Sequence, residues 1–294
     1  MLSSEEGADR VVAAVRAGRS FLGPWPAAAP CAVALSFDSD HETPWLNAGD
    51  IRPGSLSEAE YGFRRGMPRI LSLLSEFDVK ATFFIPGLAA HLHPTDVERI
   101  LTAGHEIGLH GWNHERPSSL APGDEERLLN RSISLFQNSF GVTPVGMRTP
   151  SLDTSSQTID LAIQVGLLYD SSLQADDDPY EVLLAGRPSG MIEIPVDWSR
   201  DDAIYFLTDR ESGLRPHLSP DEVTRLWIRE IALARDEGGL FQLTLHPDII
   251  GHRSRIGILE SVLETSKTFG AWCATHESVA RLAADNLGKS SNPQ

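Results

Sequence analysis

Two aspartates follow the first strongly apolar segment of the chain. Asp38 and Asp40 stand two residues apart, directly after the segment Cys31–Phe37. Alternation along an extended chain would turn both carboxylates to the same side. The same spacing is typical of a turn in which aspartate side chains cap the backbone, and the pair alone does not decide between the two.

Two histidines form the second group. His110 and His114 are four residues apart after the apolar segment 106–109, and one helical turn would bring both imidazoles to one point. A His-x-x-x-His pattern alone is a weak signal, because surface helices often contain it. With an aspartate pair at another strand end, it predicts a metal site of two histidines and one aspartate. Three protein ligands with an open position are the arrangement of catalytic zinc.

Three further apolar segments end in a polar side chain. Arg148, Asp197 and His246 each follow one of them directly. Each residue alone has an ordinary explanation: a surface arginine, a helix-capping aspartate or a hydrogen-bonded histidine. Chance would scatter such groups over both ends of the strands. Polar groups after five separate strands therefore predict a single site at one edge of a sheet.

Strand-like and helix-like segments alternate along the chain. The candidate strands are short apolar runs, as buried parallel strands are: Cys31–Phe37, Ala81–Ile85, Glu106–Leu109, Val145–Met147, Met191–Val196, Leu240–Leu245 and Ala271–Ala274. The candidate helices are Pro68–Phe77, Thr95–Ala103, Asp124–Phe140, Ser156–Val165, Pro220–Glu237 and Ile256–Phe269. This order predicts a parallel sheet covered by helices.

The helix predicted to begin at Pro220 has the clearest boundaries. Ser219 is its N-cap, Glu222 completes a capping box, and Gly238 follows its last turn. About seven parallel strands would form either a barrel or an open doubly wound sheet. No G-x-G-x-x-G follows the first strand, so a dinucleotide site is not supported. In a barrel, the chemistry belongs at the C-terminal ends of the strands.

Composition excludes several classes of protein. The 294 residues carry 25 Lys and Arg against 41 Asp and Glu, a formal charge of −16. That charge argues against nucleic-acid binding and against adsorption to anionic membranes, and it favours small or uncharged ligands. No apolar run approaches the length of a membrane span or a signal-peptide core, so we expect a cytoplasmic protein. The two cysteines imply no disulfide framework.

No internal repeat or interdomain linker interrupts the chain. We expect an N-terminal extension over residues 1–30, one catalytic barrel over 31–288 and a polar tail over 289–294. The acidic run Asp176–Asp178 is more typical of a solvated loop than of a second metal site.

The ordered groups resemble the motifs of the polysaccharide deacetylase family, which is carbohydrate esterase family four with its NodB-homology domain. The resemblance runs from about residue 25 to about residue 283. Five segments resemble the five family motifs in order: Ser36–Asp40, His110–His114, Arg148–Pro150, Asp197–Trp198 and Thr244–His246. The resemblance implies a distorted (β/α) barrel of about seven parallel strands.

Two departures from the family pattern concern the substrate. Ser39 separates the aspartates that are usually adjacent, and Thr244 replaces a leucine that helps to wall the acetyl pocket. With the flanking residues, both features resemble a bacterial subgroup that includes peptidoglycan-deacetylase-like proteins and cyclic-imide hydrolases.

The resemblance and the chemistry of the side chains imply the same roles. Asp40, His110 and His114 bind one divalent metal, Zn²⁺ first, with Co²⁺, Ni²⁺ or Fe²⁺ also suited to mixed nitrogen and oxygen ligands. Asp38 is then the general base, held ionised by Arg148.

The remaining roles concern the leaving group and the substrate. His246 is the general acid, with Asp197 supporting its protonation and orientation. Trp198 and Trp45 are candidate walls of the substrate pocket; a core position is the alternative for Trp45. His252, Arg253 and Arg255 are left without a role.

Three functions remain open at this point. The first is N-deacetylation of an N-acetylated amino sugar or oligosaccharide. The second is hydrolysis of a small cyclic imide or related amide with the same metal site. The third, a catalytically inactive binding protein, predicts the loss of a ligand or of the base, whereas every candidate is present. The family resemblance also suggests a homo-oligomer.

Overall fold

A curled sheet forms the centre of the computed structural model, which describes residues 14–208, 213, 215 and 218–289. In that part of the chain the strands are β1 (Arg16–Ser20), β2 (Ala32–Asp38), β3 (Thr82–Ile85), β4 (Glu106–Leu109), β5 (Gly146–Met147), β6 (Tyr169–Asp170), β7 (Tyr180–Leu184), β8 (Arg187–Glu193), β9 (Leu240–Leu245) and β10 (Trp272–Cys273). The order across the sheet is β1-β7-β8-β6-β5-β4-β3-β2-β10, and β9 also pairs with β2.

The strands that surround the predicted site are parallel. Pairing is parallel between β2 and each of β3, β9 and β10, and it stays parallel from β3 through β4, β5 and β6 to β8. The β1 side of the sheet differs: β7 runs antiparallel to β8, and β1 runs antiparallel to β7. The predicted barrel of parallel strands is confirmed as a fold class, with an antiparallel edge that the prediction did not contain.

Helices cover the sheet between its strands. They are α1 (Thr43–Asn47), α2 (Pro53–Tyr61), α3 (Met67–Glu76), α4 (Gly87–Leu92), α5 (Pro94–Thr102), α6 (Asp124–Phe140), α7 (Thr158–Gln164), α8 (Asp202–Phe206), α9 (Pro220–Glu237), α10 (Pro247–Ile250), α11 (Ile256–Phe269) and α12 (His276–Lys289). One turn of π-helix over Gly62–Gly66 joins α2 to α3. All six predicted helices are present, with ends that differ by at most two residues.

The boundaries of α9 follow the predicted capping chemistry. The Ser219 hydroxyl accepts the N–H of Glu222, and the Glu222 carboxylate accepts the N–H of Ser219. Gly238 ends the helix in the left-handed conformation. Trp227, on the apolar face of α9, is fully buried against the sheet.

The core fills both sides of the central strands. Every residue of β2 and of β9 is buried, and Phe37 stacks on Phe83 with ring centroids 4.9 Å apart. Because the strands around β2 are parallel and close in register, their carboxyl ends meet at one edge of the sheet. In the described part of the chain, no helix is both long and apolar enough to cross a membrane.

The predicted division of the chain stays a prediction. Residues 16–20 of the proposed N-terminal extension form β1 and pair with β7. Residues 1–13 and 290–294, which belong to the proposed extension and tail, lie outside the described residues.

Candidate active site

The predicted polar groups meet at the carboxyl edge of the sheet. Asp38 is the last residue of β2, and Asp40 lies just beyond it. His110, Arg148 and His246 directly follow β4, β5 and β9. One cluster among them, which we call the triad, consists of Asp40, His110 and His114.

The triad has the geometry of an unsaturated ligand set. The Nε2 atom of His110 lies 3.3 Å from Asp40 Oδ1, and Nε2 of His114 lies 3.3 Å from Asp40 Oδ2. One ligand atom from each residue falls within 4.8 Å of the others. Within the described part of the chain, the buried Oδ1 of Asp40 has no hydrogen-bond partner. A buried carboxylate oxygen without a donor is costly unless a cation satisfies it, so the triad fits a divalent metal.

The protonation states of Asp40 and His110 also suit a metal. His110 Nδ1 lies 2.8 Å from the backbone oxygen of Arg148, and donation to that carbonyl leaves Nε2 free as a ligand. Burial lowers the pKa of His110 and so favours the neutral imidazole. Burial would raise the pKa of Asp40, but His114 and His110 outweigh it and hold that pKa well below its usual range. At His114, burial opposes the imidazolium, but the Asp40 carboxylate outweighs it and raises the pKa, so a bound cation would have to displace that proton.

A turn, rather than the predicted helical turn, brings the two imidazoles together. Gly111 and His114 both have positive φ, 68° and 56°. The Glu115 carboxylate accepts the N–H groups of Trp112 and Asn113 and so holds the turn closed. The expectation of a helix was wrong, because two left-handed residues within five cannot belong to an α-helix.

Arg148 holds Asp38 through a fully buried guanidinium. Its Nη1 donates to Asp38 Oδ1 at 2.7 Å and to Ser36 Oγ at 2.8 Å. Its Nε and Nη2 donate to the backbone oxygen and the hydroxyl of Ser171, at 3.0 and 2.9 Å. The other carboxylate oxygen of Asp38 points toward the triad, 3.8 Å from Nε2 of His110. The predicted Arg148–Asp38 pair is present, and its second oxygen faces the proposed metal position.

Ser36 and Ser171, which accept hydrogen bonds from Arg148, were not predicted. The direction of their own hydroxyl hydrogen bonds explains why they act as acceptors. The Ser36 hydroxyl donates to the carbonyl of Leu243, and the Ser171 hydroxyl donates to the carbonyl of Ile194. Each oxygen therefore turns its lone pairs toward Arg148. Ser171 lies in the Tyr169–Ser172 segment, which resembles the family; that likeness was the available signal for its role.

Asp202, not Asp197, supports His246. The Nδ1 atom of His246 lies 2.7 Å from Asp202 Oδ1, and the backbone N–H of His246 donates to Asp202 Oδ2 at 3.1 Å. The Asp197 carboxylate instead accepts the N–H of Ser199 at 2.5 Å. The predicted pairing of Asp197 with His246 was therefore wrong, and Asp197 has the role of a turn cap.

A short 3₁₀ turn over Trp198–Arg200 explains why Asp202, and not Asp197, reaches His246. The backbone oxygen of Ser199 accepts both the Tyr205 hydroxyl at 2.9 Å and Trp227 Nε1 at 2.8 Å. These two contacts hold the turn against α9, so that α8 begins beside His246. Asp202 is the first residue of α8 and is fully buried. Two consecutive acids after the fourth motif were the signal in the sequence that could have suggested it.

His246 favours its protonated form. Burial opposes the imidazolium, but the carboxylates of Asp202 and Asp201 outweigh it and raise the pKa of His246 well above its ordinary value. The Asp201 carboxylate lies 3.8 Å from Nδ1 and also accepts the N–H of Ala203. With Nδ1 directed to Asp202, the proton on Nε2 is the transferable one.

Close backbone packing fixes the segment that carries His246. The π-turn of Gly62–Gly66 lies against α10, which directly follows His246. A Cβ atom placed on Gly66 would lie 1.9 Å from the carbonyl oxygen of Pro247. Gly251, at the other end of α10, has the same restriction, because its Cβ would lie 2.3 Å from the Cα of Gly66.

The predicted tryptophans lie outside this network. Trp198 is 42% exposed, one residue after Asp197, and Trp45 is half-buried in α1. The structure brings Asp38, Asp40, His110, His114, Arg148 and His246 together. Asp202, and not Asp197, contacts His246. A role of Trp45 and Trp198 in substrate binding stays a proposal.

Comparisons with known proteins agree with this geometry. A sequence profile described as polysaccharide deacetylase matches residues 32–169. A Mycobacterium smegmatis protein assigned to the polysaccharide deacetylases is 35% identical, and its crystal structure aligns with a TM-score of 0.85 over 92% of this chain and 96% of that one. The chain belongs to the polysaccharide deacetylase family. Members of this family hydrolyse amide C–N bonds with the help of a divalent metal, and this chain is a hydrolase of that class.

Two more proteins are similar to this chain. A peptidoglycan deacetylase from Helicobacter pylori is 28% identical over 259 residues, which are 79% of this chain and 88% of that protein. The crystal structure of the PuuE allantoinase aligns with a TM-score of 0.77 at 24% identity, over 88% of this chain and 91% of that one. The second likeness is one of fold.

Proposed function

We propose that this protein is a metal-dependent deacetylase that removes the acetyl group from an N-acetylated amino sugar or its oligomer. The observation that carries the proposal is the buried carboxylate of Asp40, which lies between the imidazoles of His110 and His114. Its Oδ1 has no hydrogen-bond partner among the described residues. Asp40, His110 and His114 would hold the ion. Two nitrogen ligands, one oxygen ligand and an open position favour Zn²⁺, and Co²⁺, Ni²⁺ or Fe²⁺ also suit this ligand set.

Asp38 supplies the base of the proposed reaction. When bound, a divalent metal would polarise the amide carbonyl and lower the pKa of a water molecule towards about 7. Asp38 Oδ1 is held by Arg148 at 2.7 Å, which leaves Oδ2 to accept a proton beside the triad. Arg148 keeps this carboxylate in one orientation, and a fixed base needs no reorganisation when the proton moves.

His246 supplies the acid on the other side of the site. An amide nitrogen is a poor leaving group until it is protonated, and general acid–base catalysis contributes about 10²–10⁴-fold. His246 carries its proton because Asp202 accepts from Nδ1, and the side chain is 15% exposed at the site. His114, on the metal side, is 16% exposed, whereas Asp38 is 6% exposed. The two histidines therefore line the open side, and the base lies deeper.

The rim of the site supports an uncharged, extended substrate. Trp198 follows the cap residue Asp197 and offers an exposed aromatic face, which we propose contacts a sugar ring. Trp45 in α1 is the second proposed contact. A formal charge of −16 disfavours polyanions and is compatible with a neutral acetamido group. The peptidoglycan deacetylase from Helicobacter pylori aligns over most of the chain and supports this substrate class.

Thr244 favours a second candidate, the hydrolysis of a small cyclic imide. The family pattern has leucine here, where an apolar side chain walls the acetyl pocket. The Thr244 hydroxyl is buried and accepts a hydrogen bond from Gln242 Nε2 at 3.0 Å. The position therefore offers a smaller apolar surface to an acetyl methyl group than leucine would. The metal, base and acid are the same for both candidates.

One experiment separates the candidates. The purified protein is freed of metal, reloaded with Zn²⁺ or Co²⁺, and assayed for acetate release from N-acetylated glucosamine oligomers and for ring opening of succinimide. We expect metal-dependent acetate release, and none from Asp40→Asn. Ring opening without acetate release would establish the second candidate. A metal-loaded protein inactive on both substrates, or full activity without metal, would refute the proposal.

A further inference from the structure

The guanidinium of Arg148 has five N–H bonds, and each one has its own acceptor. Four of them reach Ser36, Asp38 and, twice, Ser171. The fifth, on Nη2, is directed at Nε2 of His276 at 3.5 Å, the longest of the set. His276 therefore completes the shell around the residue that holds the proposed base.

His276 is fixed in place from three directions. It is the first residue of α12 and is fully buried. Its backbone N–H donates to the hydroxyl of Thr82 at 2.8 Å. Its ring packs edge-on against Phe84, with centroids 5.4 Å apart, and near Tyr169 at 6.0 Å. Phe84 also lies under the guanidinium, 4.3 Å from Cζ of Arg148. A side chain held so firmly has a defined effect on its neighbour.

The neutrality of His276 matters because it leaves Asp38 as the one charged partner of Arg148 among the residues that the structure describes. Two hydroxyls, one carbonyl and one imidazole complete the shell without a second carboxylate. Burial and the charge of Arg148 both lower the pKa of His276 well below its ordinary value. The imidazole can thus accept the fifth hydrogen bond without drawing the guanidinium away from Asp38.

The choice of histidine carries an energetic cost. For Nε2 to accept from Arg148, the ring proton must be on Nδ1. The buried Nδ1 has no hydrogen-bond partner among the residues described by the structure. An unsatisfied buried donor lowers the stability of the folded protein. An apolar ring would avoid that cost but would leave the fifth N–H of Arg148 without its acceptor. The histidine thus satisfies the guanidinium at the expense of its own Nδ1, which fits a role in orienting Arg148.

From these contacts we infer that His276 is a positioning residue for the hydrolysis, which acts through Arg148 to fix the orientation of Asp38. The inference rests on the proposed function for its consequence in turnover. Its structural part, the orientation of the guanidinium, does not depend on which substrate is hydrolysed.

The test uses two substitutions of His276 and one matched control in the full-length, metal-loaded protein. His276→Phe keeps a ring of similar size and removes the acceptor, while His276→Gln restores an acceptor oxygen. The control is His105→Phe. His105 is also buried, accepts the N–H of Ala81 through Nδ1 at 3.2 Å and packs near Phe83, but lies outside the site. The control reports what losing any buried imidazole does to the fold.

The kinetic result expected is a loss of kcat with little change in KM. A misplaced catalytic group can cost up to about 10²-fold, and we expect His276→Phe to lose roughly tenfold in kcat. His276→Gln should recover most of that loss, and His105→Phe should keep the wild-type kcat per folded molecule. Bound metal should be unchanged in all three. Equal kcat in His276→Phe and wild type, or equal losses in His276→Phe and His105→Phe, would overturn the inference.

A second readout is independent of activity. Side-chain ¹⁵N NMR of the protein should show slowly exchanging guanidinium protons of Arg148 in the wild type, in His276→Gln and in His105→Phe. His276→Phe should lose the protection of one Nη2 proton. Unchanged Arg148 signals in His276→Phe would refute the inference even if no substrate had been found, whereas an inactive wild type with the expected NMR change would refute only the proposed function.

Discussion

Two clusters of histidine and aspartate lie at the same edge of this sheet and differ in their hydrogen bonds. The triad combines one aspartate with two histidines, and a second cluster of Asp201, Asp202 and His246 combines two aspartates with one histidine. In both, one ligand atom from each residue lies within 4.8 Å of the others. By composition and spacing alone, either cluster could be the metal site of a polysaccharide deacetylase.

Their hydrogen bonds distinguish them. In the triad, no group of the described residues donates a hydrogen bond to Asp40 Oδ1. In the second cluster, backbone N–H groups and the imidazole satisfy the carboxylates: Asp202 accepts both the N–H and Nδ1 of His246, and Asp201 accepts the N–H of Ala203. Burial raises the pKa of Asp201 to about 7, although His246 acts in the opposite direction. These differences support the proposal that the first cluster binds a cation and that the second holds a proton.

The largest effect should follow removal of a triad ligand. We expect His114→Ala to lose metal and activity together, by roughly 10³-fold or more in kcat, because a metal supplies several kcal/mol of charge stabilisation. Zinc at 100 times its Kd should raise the free energy of unfolding of the wild type by about 2.7 kcal/mol and leave that of His114→Ala unchanged. Metal analysis and denaturant titration check both. Retention of zinc by His114→Ala would show that the triad is not the ligand set.

A smaller effect, with metal retained, should follow changes in the second cluster. Asp202→Asn should lower kcat by about 10²-fold, since the carboxylate that orients and charges the acid is lost. Asp197→Asn is the matched control, because Asp197 only caps a turn, and it should stay close to wild type in kcat. The assay is steady-state kinetics at fixed metal content. A larger loss in Asp197→Asn than in Asp202→Asn would reverse our correction.

The pH dependence of kcat should show which cluster carries the proton. A general acid must be protonated, so kcat should fall as pH rises through the pKa of His246. The carboxylates raise that pKa, and Asp202→Asn should therefore move the alkaline limb to lower pH.

The pH dependence of folding stability should also report the protonation of His246. In metal-free protein, the folded pKa of His246 is above its value of about 6.5 in the unfolded chain. Its stabilising contribution is thus complete below about pH 6.5 and lost as pH rises through the folded pKa. Urea titrations of wild type and Asp202→Asn against pH measure this loss. Identical curves for the two proteins would contradict the assignment.

The smallest effect should come from Asp201. Its carboxylate lies 3.8 Å from His246 Nδ1 and caps α8 through the N–H of Ala203. Asp201→Ala should cost about 1 kcal/mol of stability through the lost cap and only a few-fold in kcat. Thermal unfolding and kinetics of the variant test this, with Asp202→Asn as the reference. A loss in kcat as large as that of Asp202→Asn would mean that both acids hold the histidine.

The sequence was sufficient to predict that the residues of the triad lie together, because short apolar runs show clearly where strands end. The Arg148–Asp38 pair was predicted from the resemblance to the third family motif. The sequence was not sufficient for Asp202. Asp197 and Asp202 follow the same strand, and the choice between them depends on the Trp227 and Tyr205 contacts to the oxygen of Ser199. One of these contacts comes from a helix 28 residues away.

The parts of the fold that were missed have weak local patterns. β1 is polar and largely exposed, and β6 has two residues, so neither shows a period of apolar residues. α12 begins with His276, whose importance appears only when Arg148 is next to it. The sequence contains His276 without any spacing that links it to residue 148. Local patterns thus predict the residues at the carboxyl ends of the strands. They do not predict the residues, such as His276, that surround Arg148.

The backbone packing of Gly66 and Gly251 has a consequence for mutational tolerance. Their contacts with α10 involve main-chain atoms, so no neighbouring side chain can be shortened to make room for a larger residue. In a saturation library, even alanine at either position should displace the segment that carries His246. Gly54 and Gly257 lie in helices with open space around them and should accept alanine freely. The acid of this hydrolase would then depend on two residues that have no side chain at all.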